Sequence, residues 1–205
     1  MKIIDALGKR GRPFEIPDCD RNDLPGFFKE MGFKVGVEIG VDKAKFTKKL
    51  CSTGLKIYGV DPWRCYDDYE HTDGQKKLDD RYEFCKKELA PFDCTLIRKT
   101  SMEAVKDFED ESIDFVYIDG HHGLKYVIED IFEWSKKIKK GGIISGHDFA
   151  LNAHPVDGPW VLQVVHAVKA YVDAFKIKNW YLLGSSKAGK GEKRDTFRSW
   201  LWKKV

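Results

Sequence analysis

The sequence predicts an α/β protein with a Rossmann-like, doubly wound, mostly parallel seven-stranded sheet, helices on both faces and an antiparallel edge hairpin. Three observations predict it. From Asn22 onward, short apolar runs alternate with segments of helical periodicity, a rhythm that builds a parallel sheet covered on both sides. Most of the apolar runs stop at a glycine or an acidic residue, as strands do where they meet a turn. The last two runs have no helix between them, which calls for an antiparallel pair.

The chain has 205 residues, 34% of them charged and 42% hydrophobic. At about 150 residues per domain, residues 22–205 make a single domain. Residues 1–21, rich in Gly, Pro and charge, read as an N-terminal arm. The formal net charge of +3 lacks the basic excess that long nucleic acid demands. No apolar run approaches the ~18 residues of a membrane span, and Met1 to Arg12 has no apolar signal-peptide centre. Cys19, Cys51, Cys65, Cys85 and Cys94 form no CxxC pair. They read as reduced thiols of a cytoplasmic protein.

The elements follow in order. Asn22 to Met31 is a short helix with Pro25 in its first turn. Lys34 to Ile39 is a strand broken at Gly40, followed by a helix from Ala44 to Cys51. Leu55 to Val60 is the second strand, ending at Asp61-Pro62. Gln75 to Leu89 is a charged helix with Leu78, Tyr82, Cys85 and Leu89 on one face, stopped near Pro91. Cys94 to Ile97 is the third strand, and Ser101, as N-cap, opens a helix to Phe108. Ile113 to Ile118 is the fourth strand. Leu124, Val127, Ile128, Ile131, Trp134 and Ile138 recur at helical spacing, and Gly141-Gly142 ends that helix. Ile143 to Ser145 lies in the fifth strand. Trp160 to Phe175 is a helix with Val161, Val164, Val165, Val168, Tyr171 and Phe175 inward. Asn179 to Leu183 and Thr196 to Trp202 close the sheet around a loop whose stretch Ser186 to Arg194 reads as a solvated tip or, alternatively, as a clamp for an acidic substrate. Trp180, Trp200 and Trp202 suit either core or interface, and a homo-oligomer is compatible with the pattern.

Ligands of such sheets bind beyond the carboxyl ends of the strands, where strand order reverses. The strand ends here carry Glu38 and Gly40, Asp61, Lys99-Thr100-Ser101, Asp119-Gly120-His121-His122, and His147-Asp148. A GxGxxG cradle is absent, so a pyrophosphate site is weakly supported. Asp61 follows Gly40 by 21 residues, where an acid can accept hydrogen bonds from a ribose diol. Asp61-Pro62 is equally well read as a plain turn. Asp119, His122, His147 and Asp148 converge if the fourth and fifth strands are neighbours, and such a set binds a divalent cation or supplies a general base. Hydrogen-bonded turns are the competing explanation. A nucleotide-dependent oxidoreductase, a metal-dependent hydrolase and a cofactor-binding protein without catalysis remain alternatives on these residues alone. The aromatic, acidic stretch Trp63 to Tyr69 reads as a lid or pocket wall, or as a loop packed by its own rings.

VGVEIG, then a helix, then YGVDPW resembles the opening of a class I S-adenosylmethionine-dependent methyltransferase. Val116 to Phe149 is similar to the branch that reads strand–IDGxH–helix–GG–strand–HDY. The resemblance implies S-adenosyl-L-methionine as cofactor, with Mg or Mn as the metal of those relatives that use one, and methyl transfer to the oxygen of a small-molecule acceptor; the stretch Trp63 to Tyr69, as a pocket wall, suits a sugar or another small polar molecule. It implies that Glu38 and Gly40 border the methionine part. Asp61 would hold the ribose hydroxyls, Trp63 flank the adenosine, and Ser101 and Met102 lie beside the adenine. Asp119 would face the sulfonium. His122 or His147 would serve as base, and Asp119 and Asp148, with His147, as metal ligands. The chain departs from the branch at Ala44, where a glycine is usual, and at Leu124 and Phe149, where tyrosines are usual.

Overall fold

The computed structural model describes residues 1–65, 74–150 and 162–205. The helices are α1 (Ile3–Ala6), α2 (Leu24–Glu30), α3 (Lys45–Cys51), α4 (Gln75–Leu89), α5 (Ser101–Ala104), α6 (Leu124–Lys137) and α7 (Val164–Ala174). The strands are β1 (Gly11–Ile16), β2 (Val35–Ile39), β3 (Lys56–Val60), β4 (Cys94–Ile97), β5 (Ile113–Ile118), β6 (Ile138–Phe149), β7 (Asn179–Leu183) and β8 (Arg198–Lys203).

The strands form one sheet in the order β1-β7-β8-β6-β5-β2-β3-β4. All neighbours are parallel except that β8 runs antiparallel to both β6 and β7. Order reverses between β2 and β5, since β3 and β4 lie to one side of β2 while β5 and β6 lie to the other. The sheet has eight strands rather than seven. The additional one is β1, from the segment expected to be an arm, and it pairs outside β7.

Burial on both faces explains the strand sequences. Along β5, Phe115 and Tyr117 point into one core while Val116 and Ile118 point into the other. The first core takes Phe28 of α2, Leu50 of α3 and Leu78, Cys85 and Leu89 of α4. Phe28 stacks on Phe115 with ring centroids 3.9 Å apart. The second takes Val127, Ile131 and Trp134 of α6 and Val165, Val168 and Val172 of α7. Trp180, Trp200 and Trp202 are all buried there, so these tryptophans are core. None of the five cysteines forms a disulfide.

Several local expectations are corrected. Thr100, not Ser101, caps α5: its side chain accepts from the Glu103 N–H while the Glu103 carboxylate accepts from the Thr100 N–H, a reciprocal capping box. Gly141-Gly142 does not end α6, which stops at Lys137; the pair lies inside β6 at a register shift opposite β5. There a Cβ on Gly142 would collide with the Asp114 carbonyl, so the glycines mark a bulge rather than a cap. Leu124 and Phe175 are exposed instead of inward. The first turn expected for α7, Trp160 and Val161, lies outside the described residues, as do positions 66–69 of the aromatic stretch. The tip from Ser186 to Arg194 is largely exposed, as expected, but it is also tethered. Lys193 Nζ lies 2.8 Å from Asp23, and Ser186 N donates to Glu15 at 2.9 Å.

Candidate active site

A cavity of about 840 Å³ opens at the carboxyl ends of β2, β3 and β5 and the start of α5, within the range of small-molecule sites. Glu38, Gly40, Asp61, Trp63, Ser101, Met102, Asp119 and His122 all line it. His147 and Asp148 are not among its lining residues; they lie behind Asp119 and His122.

Gly40 has φ +87°, and a Cβ there would overlap the carbonyl oxygen of Asp119. Only glycine lets the ends of β2 and β5 approach this closely. Ala44, where the branch has glycine, still adopts the left-handed conformation, with φ 57°. Glu38 is 2% exposed, and its Oε2 has no hydrogen-bond partner among the described residues. Burial pushes its carboxyl well above the usual range, only partly offset by Thr47.

Asp61 organises the neighbouring backbone. Its Oδ2 accepts from Val41 N at 3.0 Å and Asp42 N at 2.9 Å, and its Oδ1 from Trp63 N at 2.8 Å. A carboxylate has about four lone-pair sites, so one direction on Oδ1 is left for a ligand hydroxyl. Burial raises the Asp61 carboxyl, opposed by these backbone bonds. Trp63 is 2% exposed, packs on Tyr82 at 4.9 Å and donates Nε1 to Asp42 O. Its ring therefore braces the wall from behind. Ser101 Oγ accepts from Trp134 Nε1 at 2.8 Å.

At the other end, Asp119, His122 and Asp148 place one ligand atom each within 4.8 Å of one another. His122 Nε2 is 2.9 Å from Asp148 Oδ2. His147 Nδ1 lies 3.2 Å from Asp148 and 3.7 Å from Asp119, and its Nε2 lies 3.7 Å from Asp195. Burial pushes the Asp119 carboxyl up to about 7; Asp148 adds to the rise, while His147, His122 and Arg21 oppose it. Burial alone would lower both imidazoles. Asp148 outweighs it at His122, and Asp148, Asp195 and Asp119 together raise His147 to about 9. The two imidazoles overcome the burial of Asp148 and hold its carboxyl far below the usual range.

Sequence reasoning missed Arg21, Asp130 and Asp195. Arg21 lines the cavity, and its Nη1 donates to Asp119 Oδ2 at 3.3 Å. Asp195 Oδ2 accepts from Arg21 N at 2.9 Å. Both sit in segments with no periodic signal. Asp130 also lines the cavity, and burial pushes its carboxyl up to about 7. Its position among Val127, Ile131 and Trp134 was a usable signal: a carboxylate inside an apolar helical stripe needs a reason.

The fold is that of a class I S-adenosylmethionine-dependent methyltransferase domain, and the sequence match agrees with it. A family model described as a methyltransferase domain matches residues 33–149, more than half of the chain, and the chain belongs to that family. An uncharacterized protein, y4gI, of Sinorhizobium fredii is 36% identical over 59 residues, a match that spans 29% of this chain and only 6% of that protein's length. Among solved structures, an O-methyltransferase from Bacillus cereus in complex with SAH shares 13% identity, 90% of this chain and 80% of its own, with a TM-score of 0.59. The O-methyltransferase TomG from Streptomyces achromogenes, in complex with SAM, shares 12% identity, 90% and 79% coverage, and a TM-score of 0.61. An rRNA methylase from Streptococcus thermophilus is as similar, with 13% identity, 89% and 94% coverage, and a TM-score of 0.59. At these identities the likeness is one of fold. Among the described residues, no helix is long and apolar enough to cross a membrane.

Proposed function

We propose that the protein transfers a methyl group from S-adenosylmethionine to an oxygen of a small polar acceptor, a sugar or another hydroxylated metabolite, in the cytoplasm. The observation that carries this reading is one cavity lined by an orphaned buried carboxyl, Glu38, and by Asp119 and His122, with Asp148 behind them. A buried acid without a cation invites one, and the ammonium of the methionine moiety supplies it. Gly40, at the junction of the strand ends on the cavity wall, borders the methionine part. The remaining lone-pair direction of Asp61 takes a ribose hydroxyl, and Ser101 and Met102 flank the adenine. When bound, the cofactor supplies an electrophilic methyl carbon.

The chain's own contribution is to position the acceptor oxygen against that carbon and to take its proton. His122, on the cavity and backed by Asp148, receives the proton at a ring nitrogen. His147, off the cavity, orients Asp119 and Asp148 rather than touching the acceptor. The two carboxylates suit a hard divalent cation such as Mg or Mn, and the imidazole beside them makes a mixed oxygen and nitrogen set that Mn fits better than Mg. Asp119, Asp148 and His122 would hold it, and it would lower the pKa of the acceptor hydroxyl. The small net charge supports a small acceptor over long nucleic acid.

Calorimetry with S-adenosylhomocysteine, alongside NADH, tests the reading. Micromolar binding of the first and none of the second is expected. A folded sample that binds no S-adenosylhomocysteine overturns it. Repeating the titration with Mg and Mn after chelation tests the cation.

A further inference from the structure

Arg21 is the one cavity cation with a side chain resting on Asp119, at 3.3 Å, among the described residues. It comes from outside the family match, which begins at residue 33. Its backbone is fixed from several sides. Asp20 and Asp23 form a capping box around the short 3₁₀ turn Arg21–Asp23. Asp195 accepts its N–H at 2.9 Å, and Lys193 holds Asp23 at 2.8 Å. Upstream, β1 is paired in the sheet. The guanidinium lies over the Phe46 ring at 5.8 Å. It is thus held in place before any ligand arrives, with its side chain 34% exposed.

A guanidinium has five N–H donors. Asp119 takes one. Even with the neighbouring Tyr117 hydroxyl taking another, three are left. Lys43 and Lys45 line the same cavity, and neither has a carboxylate partner among the described residues. A preorganised guanidinium with spare donors beside Asp119 matches the bidentate recognition of an oxyanion.

We propose that Arg21 is a specificity residue that binds an oxyanion group, carboxylate or phosphate, on the methyl acceptor. The inference rests on the methyltransferase reading. One edge of the fork stays on Asp119, and the other takes the two oxygens of the anion. Placing this contact in terminal segments beyond the family match agrees with the rule that specificity is carried by connecting segments on a common scaffold.

The test uses matched pairs on two scaffolds, titrated into the protein loaded with S-adenosylhomocysteine. Catechol is compared with 3,4-dihydroxybenzoate and 3,4-dihydroxyphenylphosphonate, and glucose with glucuronate and glucose 6-phosphate. On at least one scaffold an anionic member is expected to bind tenfold or more tighter than its neutral partner, and the better anion separates carboxylate from phosphate. Arg21→Met should abolish that preference while S-adenosylhomocysteine affinity stays within about twofold, and Arg21→Lys should keep part of it. If Arg21 merely neutralised Asp119, neutral and anionic members would weaken together. Absence of anion binding on both scaffolds, equal binding within each pair, or a preference that survives Arg21→Met overturns the proposal. Should Arg21→Met fail to fold, Arg21→Gln and the wild-type preference decide in its place. Loss of S-adenosylhomocysteine binding by the wild type would instead overturn the methyltransferase reading itself.

Discussion

Gly40 and Asp119 meet backbone to backbone: there is no room for a Cβ on Gly40 beside the Asp119 carbonyl. Gly40 N donates to Val60 O at 2.8 Å and Asp119 N to Ile39 O at 2.8 Å. The ends of β2, β3 and β5 are therefore tied at one point, and the cavity floor is made there. Gly40→Ala must part those strands and take a left-handed conformation that costs about 1–2 kcal/mol for a non-glycine residue. A loss of at least that much stability, and of tenfold or more in S-adenosylhomocysteine affinity, is expected from melting and calorimetry. An unperturbed affinity would show that the cofactor does not rest on this junction.

Asp61 gathers three backbone N–H groups before any ligand is present. Asp61→Ala leaves them without that acceptor, at about 1–3 kcal/mol for each that water does not reach. Stability and cofactor affinity should both fall. Asp61→Asn, which keeps one acceptor oxygen, should lose less of each. A fall in affinity with no fall in stability would mean that the carboxylate acts on the ligand alone.

Asp114 is a clamp remote from the site. Its Oδ2 accepts from Lys34 N at 2.7 Å and Val35 N at 2.9 Å, and Oδ1 from Lys139 Nζ at 2.8 Å. Burial would raise the carboxyl, but Lys139 and the two backbone bonds outweigh it and hold the carboxyl below its ordinary value of 3.8. A group depressed on folding stabilises above its unfolded pKa, and the contribution disappears as pH falls through the folded one. Because Lys139 is half-exposed, most of the effect lies in the backbone bonds. Asp114→Asn should cost about 2 kcal/mol near pH 7, and denaturant melts of mutant and wild type should converge in acid. A gap that persists at the lowest pH would point to packing instead.

His147 sits among three carboxylates, with Asp195 at 3.7 Å on its Nε2 side. Its side-chain resonances should titrate near 9. Asp195→Asn removes an anion that favours the imidazolium, so the midpoint should move down toward the ordinary value. An unchanged midpoint in nuclear magnetic resonance titration would detach Asp195 from the site.

Much was legible without coordinates, because strands buried on both faces and helices with one apolar face carry their period in the sequence. The boundaries of α4, β4, β5 and β7 follow from that pattern, and so does the convergence of Glu38, Asp61, Asp119 and His122 at strand ends, since a parallel sheet brings every carboxyl end to one side. Tertiary structure alone decided what depends on contacts between distant segments. Residues 11–16 have weak local signals, and only pairing with β7 makes them a strand. The same docking brings Arg21 onto Asp119, 98 residues away in the chain, and Asp195 onto Arg21 N, 174 residues away. No period encodes such a meeting: it is set by the register of the sheet and by charges that find partners only once the chain is folded.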